Sequence, residues 1–259
     1  MSLDLIPSIP PLVALAYKSE FFTSDLARTS PTPDIRLLRL YLGRELPMHI
    51  HELQPGLRSD LALDAERYQR LSDALQLEDI ASLPNLHHVA SGMGVILAQL
   101  HFSVGIDAMD VELVMGGDGN HGLQCHILDY NQCQRWLNPQ PLDRLGSGKL
   151  TINGEDPSQG AIRLARRIGN CEHYYPKPSQ DLYSDFRQAY GDTVSSLVEG
   201  KIRDVRGRSG EIDAAFEQDV EALLAAGDAF LAEYEKVGLE TAERKDRTEG
   251  RRKEASSVL

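Results

Sequence analysis

One stretch of this chain, residues 97–133, limits what it can fold into more than any other. It contains an apolar helical pattern that ends near His101, a loop that carries Asp107, and two short apolar segments on either side of the turn GGDGNHG. Residues 111–115 and 125–128 predict two antiparallel strands, because a glycine-rich polar turn between apolar runs is typical of a hairpin. The sequence therefore predicts a helix, a loop and then a β-hairpin.

Three carboxylates border this hairpin. Asp107 precedes the first strand, Glu112 lies within it, and Asp129 follows the second strand. An antiparallel hairpin places the start of its first strand beside the end of its second, so we expect these side chains to lie close together. Carboxylates at strand ends can hold a divalent cation or serve as acid and base. We predict all three as catalytic candidates and Glu112 and Asp129 as cation ligands, facing a cleft bordered by residues 41–44.

Each carboxylate also has a structural interpretation. Asp107 can cap its loop through backbone amides, Glu112 can face solvent from its strand, and Asp129 can bind amides or an arginine. Carboxylates that lie close together repel one another unless a positive charge compensates. The arginines that could compensate without any metal are Arg39, Arg44 and Arg135.

The order and spacing of these residues resemble the catalytic core of protein kinases and of aminoglycoside-phosphotransferase-like enzymes. In those enzymes a loop Asp is followed five residues later by a metal-binding Asn, and a second metal-binding Asp ends the next strand. The corresponding positions here hold Asp107, Glu112 and Asp129. The His that precedes the loop Asp by two residues is replaced by Gly105, and the Asp-Phe-Gly triplet by Asp-Tyr-Asn at 129–131. These departures argue against ordinary phosphotransfer.

The segment upstream of the helical region also departs from a kinase. Residues 35–45 (IRLLRLYLGRE) fit the strand and hinge that enter the large lobe of a kinase. The 34 residues before them contain no glycine, and their single lysine, Lys18, is followed by Ser-Glu-Phe-Phe. A glycine-rich phosphate loop and a strand-borne lysine are therefore not expected, and we predict that the small nucleotide-binding lobe is missing or truncated.

A second resemblance covers residues 35–190. The segments LLRLYLGRE, ILAQLHFSVGIDAMDVELVMG, HILDYNQC and HYYPKPSQDLYSDFRQAY occur in this order. They resemble a large fungal family of unknown function that is often catalogued under a "zinc finger protein" label. The resemblance implies a filamentous-fungal source and a fold like the large, helical lobe of a kinase. It implies no established activity.

The spacing of cysteine and histidine residues argues against a zinc site. Structural zinc sites usually clamp the ion with two closely spaced ligand pairs, and this chain has no Cys-x-x-Cys. Cys125 and His126 are neighbours in a predicted strand, so their side chains point to opposite faces. The other candidates are Cys133, Cys171, His121 and His173, of which only Cys171 and His173 form a near-clamp.

Composition excludes several classes of function. A net charge of −12 argues against nucleic-acid binding, because an acidic surface repels phosphates. No apolar run approaches the roughly 20 residues that span a bilayer, so no membrane segment is expected. The three cysteines are widely spaced, which favours reduced thiols in a cytosolic or nuclear compartment.

Proline and charge patterns divide the chain into three predicted parts. Residues 1–34 contain five prolines and predict an irregular arm. Residues 35–238 predict a kinase-like helical domain, with helical turns within 53–75, helices over 86–101, from Pro157, over 182–190 and over 211–236, and a loop over 137–154. Ser209 is the predicted N-cap of the last helix. Residues 239–259 are highly charged and predict a disordered tail.

Two further residue groups are predicted to be structural. His101 ends an apolar helix face, where a histidine is more often a hydrogen-bonded core residue than a base. Tyr174 and Tyr175, in the run YYPKP, are expected to pack their rings against the helical core. The same run is expected to interrupt regular structure before the next helix.

Together these features predict an α+β, mainly α-helical protein that resembles the large lobe of a kinase and carries a small β-hairpin. The predicted function is that of a scaffold, accessory or regulatory protein rather than a phosphotransferase. The alternative is a non-canonical enzyme or accessory protein of fungal secondary metabolism that uses the Asp/Glu cluster. The expected partner is a protein or a small molecule. The sequence identifies no cofactor beyond the candidate divalent cation.

Overall fold

The computed structural model describes residues 6–23, 36–46, 60–77, 83–119, 122–136, 145–146, 150, 156–171, 173–209 and 211–256. Within these ranges the protein is α+β and mainly helical, with a small mixed sheet, which confirms that part of the predicted fold class. Contacts divide the chain into two compact units. The first unit comprises Met1–Val89, Val111–Tyr130 and His173–Tyr175, and the second comprises Ala90–Asp110, Asn131–Glu172 and Pro176–Leu259.

The first unit contains the β-sheet. Its described strands are β1 (Leu37–Leu40), β2 (Asp60–Leu63), β3 (Glu112–Gly117) and β4 (Leu123–Leu128), in the order β2-β1-β3-β4. Strand β1 runs parallel to β2 and antiparallel to β3, and β3 and β4 pair antiparallel. The β3–β4 pair confirms the predicted hairpin, and β1 confirms the strand predicted within 35–45. Strand β2 was not predicted.

Two helices of the first unit are α1 (Pro11–Phe21) and α2 (Ala65–Leu77). The prediction of an irregular arm over 1–34 is wrong for α1. Pro11 occupies the first turn of this helix, where a missing N–H costs nothing, and the next proline in the chain is Pro31. The hydroxyl of Tyr17 donates to the carbonyl oxygen of Ala62 at 2.8 Å, which ties α1 to β2.

Helix α3 (Leu86–Ala98) begins in the first unit and continues into the second, which also contains α4 (Pro157–Cys171), α5 (Tyr183–Ser209) and α6 (Ala214–Ser256). Helices α4 and α5 both pack against α6. The helices predicted over 86–101 and from Pro157 are confirmed, and the helix predicted over 182–190 continues to Ser209. No helix in the described ranges is long and apolar enough to cross a membrane.

Helix α6 corrects two predictions. Ser209 is the last residue of α5, and the side chain of Asp213 instead caps α6 by accepting the amide of Phe216 at 2.8 Å. The prediction of a disordered tail is wrong as far as Ser256, because α6 continues to that residue. Alanine, glutamate, lysine and arginine favour helix, and pairs such as Arg244–Glu240 add support one turn apart.

Most of the predicted loop 137–154 lies outside the described residues. Of its described residues, Gly146 and Leu150 donate their backbone amides to the carboxylate of Asp219, at 2.9 and 3.2 Å. Asp219 is buried on α6. A buried carboxylate needs hydrogen-bond donors, so these amides give Asp219 a structural role.

Aromatic side chains fill the core of the second unit. The rings of Tyr190 on α5 and Phe230 on α6 stack with centroids 4.8 Å apart. The rings of Tyr183 and Tyr234 also stack, at 6.1 Å. Aromatic pairs of this kind add stability beyond the apolar area that they bury.

Helix α3 approaches α5 closely at Gly94. A Cβ atom built on Gly94 would collide with the carbonyl oxygen of Phe186 and lie 3.0 Å from the amide nitrogen of Tyr190. Both obstacles are backbone atoms, which cannot move without shifting α5. Gly92, two residues earlier in the same helix, has nothing within 4 Å of the equivalent position.

These two glycines provide a matched test of the packing. We expect Gly94→Ala to lower the free energy of unfolding by about 1–3 kcal/mol, because the added methyl group overpacks the contact with α5. Gly92→Ala should raise it by up to about 1 kcal/mol through helix propensity alone. Urea denaturation followed by circular dichroism measures both. Equal effects of the two substitutions would contradict the close packing of α3 on α5.

Candidate functional site

The loop that carries Asp107 follows an unusual helix end. After α3 the chain forms a π-helical turn over Gln99–Val104, and Gly105 then adopts a left-handed conformation with φ of 78°. The amides of Gly105 and Ile106 both bond to the carbonyl oxygen of Leu100. A glycine tolerates this conformation without a steric cost, which allows the chain to reverse sharply before Asp107.

Asp107 is buried, with 3% of its surface exposed, and its carboxylate has three described hydrogen bonds. Oδ1 accepts the backbone amides of Met109 at 3.3 Å and Gln134 at 2.9 Å. Oδ2 accepts a hydrogen bond from the guanidinium of Arg167 at 3.0 Å. The backbone amide of Asp107 donates in turn to the carbonyl oxygen of Gln134 at 2.9 Å. Asp107 therefore joins its own loop, the segment after the hairpin and helix α4.

The predicted capping role of Asp107 is confirmed by its two amide bonds. Its counter-ion is Arg167, which lies 60 residues further along the chain and was not among the predicted arginines. Nothing in the local spacing indicates this pair. The structural interpretation of Asp107 thus accounts for both of its carboxylate oxygens.

Glu112, the first residue of β3, also has described partners. Arg39 of β1 forms an ion pair with Glu112 Oε1, as one of the predicted compensating arginines. The hydroxyl of Tyr174 donates to the same oxygen at 3.0 Å. Burial, together with the nearby Tyr41 and Glu112, raises the pKa of the Tyr174 hydroxyl well above its usual range, so that it remains a donor.

Tyr41 supports this arrangement from the predicted hinge. Its ring stacks on that of Tyr174 with centroids 5.0 Å apart, and the guanidinium of Arg44 lies over the Tyr41 ring, 5.3 Å from its centroid. The hinge segment is therefore linked to Glu112 indirectly, because Tyr41 stacks on Tyr174 and Tyr174 donates a hydrogen bond to Glu112. Tyr174 itself packs in the first unit, so the prediction that it packs against the helical core is wrong.

Asp129 differs from the other two carboxylates. It follows β4 directly, next to Leu128, which is the register partner of Glu112. Its side chain is exposed, and its backbone is left-handed with φ of 63°. The position of Asp129 after the second strand agrees with the prediction, and Glu112 and Asp129 belong to the same unit.

The shared site of three carboxylates stays a prediction. Asp107 belongs to the second unit, whereas Glu112 and Asp129 belong to the first. Among the residues that the structure describes, no group of three or more His, Cys, Asp or Glu side chains is arranged to hold a metal ion. His121, one of the candidate zinc ligands, lies outside the described residues. The three cysteines are free thiols.

Backbone strain concentrates around these residues. The described non-glycine residues with positive φ are Ala108 (48°), Asp110 (64°) and Asp129 (63°). Aspartate tolerates this region, but alanine rarely adopts it. Ala108 is fully buried directly after Asp107, so its conformation depends on the contacts that surround it.

The predicted role of His101 as a hydrogen-bonded core residue is confirmed. Its ring is fully buried, and Nδ1 lies 2.9 Å from the hydroxyl of Tyr190. The rings of Trp136 and Phe230 meet it edge-on at 5.8 and 5.0 Å between centroids. Burial lowers the pKa of His101 to about 3, so the imidazole is neutral at physiological pH.

No protein family, curated protein or solved structure matches this chain.

The two aspartates give a matched test of their roles. We expect Asp107→Asn to lower the free energy of unfolding by about 1–2 kcal/mol, because asparagine is uncharged and has one acceptor oxygen where Asp107 uses two. Asp129→Asn should change it by less than about 0.5 kcal/mol, since Asp129 is exposed and asparagine also tolerates a left-handed backbone. Chemical denaturation checks both values, and a larger loss at Asp129 would refute the assignment.

The buried imidazole predicts a pH dependence. The folded-state pKa of His101, about 3, lies below its ordinary value of 6.5, so the unfolded chain binds the proton more readily. Stability should therefore fall as the pH drops below about 6.5, by up to about 1.4 kcal/mol per pH unit, until the pH approaches 3. Denaturation curves of wild type and His101→Gln between pH 7 and 4.5 isolate this contribution. Parallel curves for the two proteins would rule it out.

Proposed function

We propose that this chain is a degenerate kinase-like module of fungal origin that acts as a scaffold or regulatory protein. The observation that carries the proposal is that both carboxylate oxygens of Asp107 already have hydrogen-bond partners. In a phosphotransferase the loop Asp must be available to the substrate hydroxyl. Here the corresponding carboxylate is buried, and its oxygens accept hydrogen bonds from Met109, Gln134 and Arg167.

The surroundings of Glu112 support the same proposal. A cation at this carboxylate would have to compete with the guanidinium of Arg39 and with the hydroxyl of Tyr174. An arginine already supplies the positive charge that a metal ion would bring. Asp129 remains exposed, but a single carboxylate with an open surface is a weak ligand set for Mg²⁺.

The proposed partner is another protein. A net charge of −12 disfavours nucleic acid as the partner and favours proteins with basic surfaces. The proposed place of action is the cytosol or the nucleus, in keeping with the free thiols of Cys125, Cys133 and Cys171.

A non-canonical small-molecule enzyme is the second candidate. It is favoured by the positive φ values of Ala108, Asp110 and Asp129, because strained backbone often accompanies functional sites. In this alternative the Asp/Glu cluster performs acid–base or metal chemistry in fungal secondary metabolism. Asp129, which is exposed, is the residue that such chemistry would use first.

Two measurements test the proposed function. A thermal-shift titration with Mg-ATP should leave the melting temperature of the full chain unchanged, and a clear increase would contradict the proposal. The second measurement uses a strain of the source organism that lacks the gene. A scaffold predicts that the variant Asp129→Asn, once shown to be folded, restores the wild-type phenotype. Failure of this folded variant to do so would favour the enzyme.

A further inference from the structure

The sheet of the first unit has two edge strands, and their edges differ. Strand β2, at one edge, is only four residues long. The carbonyl oxygen of Ala62 in β2 accepts hydrogen bonds from the hydroxyl of Tyr17 at 2.8 Å and from the guanidinium of Arg67 at 3.2 Å. Side chains of α1 and α2 thus occupy the backbone of β2 that a further strand would need. Covering an edge in this way prevents the pairing of other strands.

Strand β4, at the other edge, lacks these protections. Its sequence, LQCHIL, contains no charged residue and no proline, the residues that most often prevent a further strand from pairing. Its pairing with β3 runs from Leu123 to Leu128 without a break, so no bulge bends the edge away. Among the residues that the structure describes, only β3 pairs its backbone with β4. The described part of the fold therefore leaves β4 with an open, uncharged edge.

The hydrogen bonds of the hairpin show which backbone groups lie at this edge. In an antiparallel pair, successive residues alternate between bonding to the partner strand and pointing away from it. The amide of Asp118 donates to the carbonyl oxygen of Gly122, so Gly122 bonds inward, as does every second residue after it. The amide of Gly117, the register partner of Leu123, donates to Pro7 instead. The residues of β4 whose backbone groups point outward are therefore Leu123, Cys125 and Ile127.

The side chains of β4 leave this edge accessible. Gln124 and Cys125 are exposed, and the other residues of the strand are half-buried. Tyr130, which follows the strand closely, is 46% exposed. A strand edge of this kind, with unpaired backbone groups and no charge, is a template for the addition of another strand.

The outward groups match those of a second β4. Two copies of β4 related by a two-fold axis run antiparallel. When Cys125 of one copy faces Cys125 of the other, Leu123 faces Ile127, and every outward residue meets another outward residue. Each such pair can exchange both of its backbone hydrogen bonds. A shift by two residues would instead set Leu123 against Asp129, whose left-handed backbone does not continue a strand.

We propose that β4 is a dimerisation edge, at which two copies of this chain pair antiparallel around Cys125. The contact places no like charges opposite one another, because β4 is uncharged. Since the edge of β2 is covered, the joined sheet ends there and assembly stops at the dimer. A contact this short predicts a dissociation constant in roughly the micromolar range. The dimer is independent of the proposed function, because it serves a scaffold and an enzyme equally.

Sedimentation equilibrium of the full chain tests the dimer and its response to salt. Each copy carries a net charge of −12, whereas the pairing strand carries none. Salt screens the repulsion between the copies, so raising NaCl from about 0.05 to about 0.5 M should strengthen the dimer several-fold. A chain that stays monomeric at about 100 μM in high salt would overturn the proposal. A dimer that salt weakens would overturn it too, because its contacts would then be ionic.

A pair of lysine substitutions tests the position of the interface. Cys125→Lys sets two like charges opposite one another at the centre of the pairing and should weaken the dimer at least about tenfold at constant salt. The same variant makes each copy less negative, so general repulsion predicts the opposite change. Cys171→Lys is the matched control, because it makes the same substitution at an exposed thiol on α4. It should dimerise at least as tightly as wild type. Equal effects of the two substitutions would exclude β4 as the interface.

Cross-linking of the wild-type chain gives an answer even if Cys125→Lys does not fold. A short bis-maleimide joins two thiols that lie close together, and a link between two Cys125 residues can only connect two copies. Cys125 and Cys171 are both exposed, so they compete for the reagent. We expect mass spectrometry of the digested dimer to find Cys125 linked to Cys125. Covalent dimers linked through Cys171 alone, or no covalent dimer, would refute the pairing of β4.

Discussion

The buried carboxylate of Asp107 is the interaction on which the loop region of the second unit depends. A charge removed from water must be hydrogen-bonded or neutralised, and Asp107 meets this requirement through two backbone amides and Arg167. These partners come from three separate parts of the chain. The same carboxylate also follows a sharp helix end and precedes a strained alanine, so the local conformation is determined by contacts rather than by the preferences of its residues.

The charge of Glu112 is compensated differently from that of Asp107. Its partners, Arg39 and Tyr174, are side chains rather than backbone amides. Side chains can exchange partners without unfolding a loop, whereas backbone amides cannot. Of the two carboxylates, Glu112 is therefore the one whose environment a ligand or a partner protein can remodel, and Asp107 is the more firmly fixed.

The sequence predicted elements whose signals are local. The hairpin has apolar runs around a glycine-rich turn, and Pro157 marks the start of α4. Strand β2 has only four residues, Asp60 followed by the apolar Leu61, Ala62 and Leu63, and so short an apolar run fits a helix as well as a strand. The prediction of an irregular arm was wrong for α1, because a proline in the first turn is compatible with a helix. The prediction of a disordered tail was wrong for the end of α6, because the charged residues that favour disorder also favour a long helix.

The candidate site was only partly predictable, because some partners of its carboxylates lie far away in the sequence. The amide cap of Asp107 and the compensation of Glu112 by an arginine could be anticipated from residue chemistry. The partners Arg167 and Tyr174 could not, because they lie about 60 residues away in sequence and depend on where α4 and the segment after it are placed. Long-range pairs of this kind leave no periodic or spacing signal in a single sequence.

The π-helical turn after α3 has a consequence for how this region tolerates changes in length. A π-helical turn contains about one residue more than an α-helical turn, because its hydrogen bonds run from residue i to residue i+5. In this turn His101 lies beside Tyr190, and directly after the turn Gly105 reverses the chain towards Asp107. A change in the number of residues between Gln99 and Val104 therefore changes which side chain lies beside Tyr190 or where the chain reverses, whereas a substitution of an exposed residue changes neither. Insertions and deletions should therefore be far less acceptable in this turn than substitutions of its exposed residues.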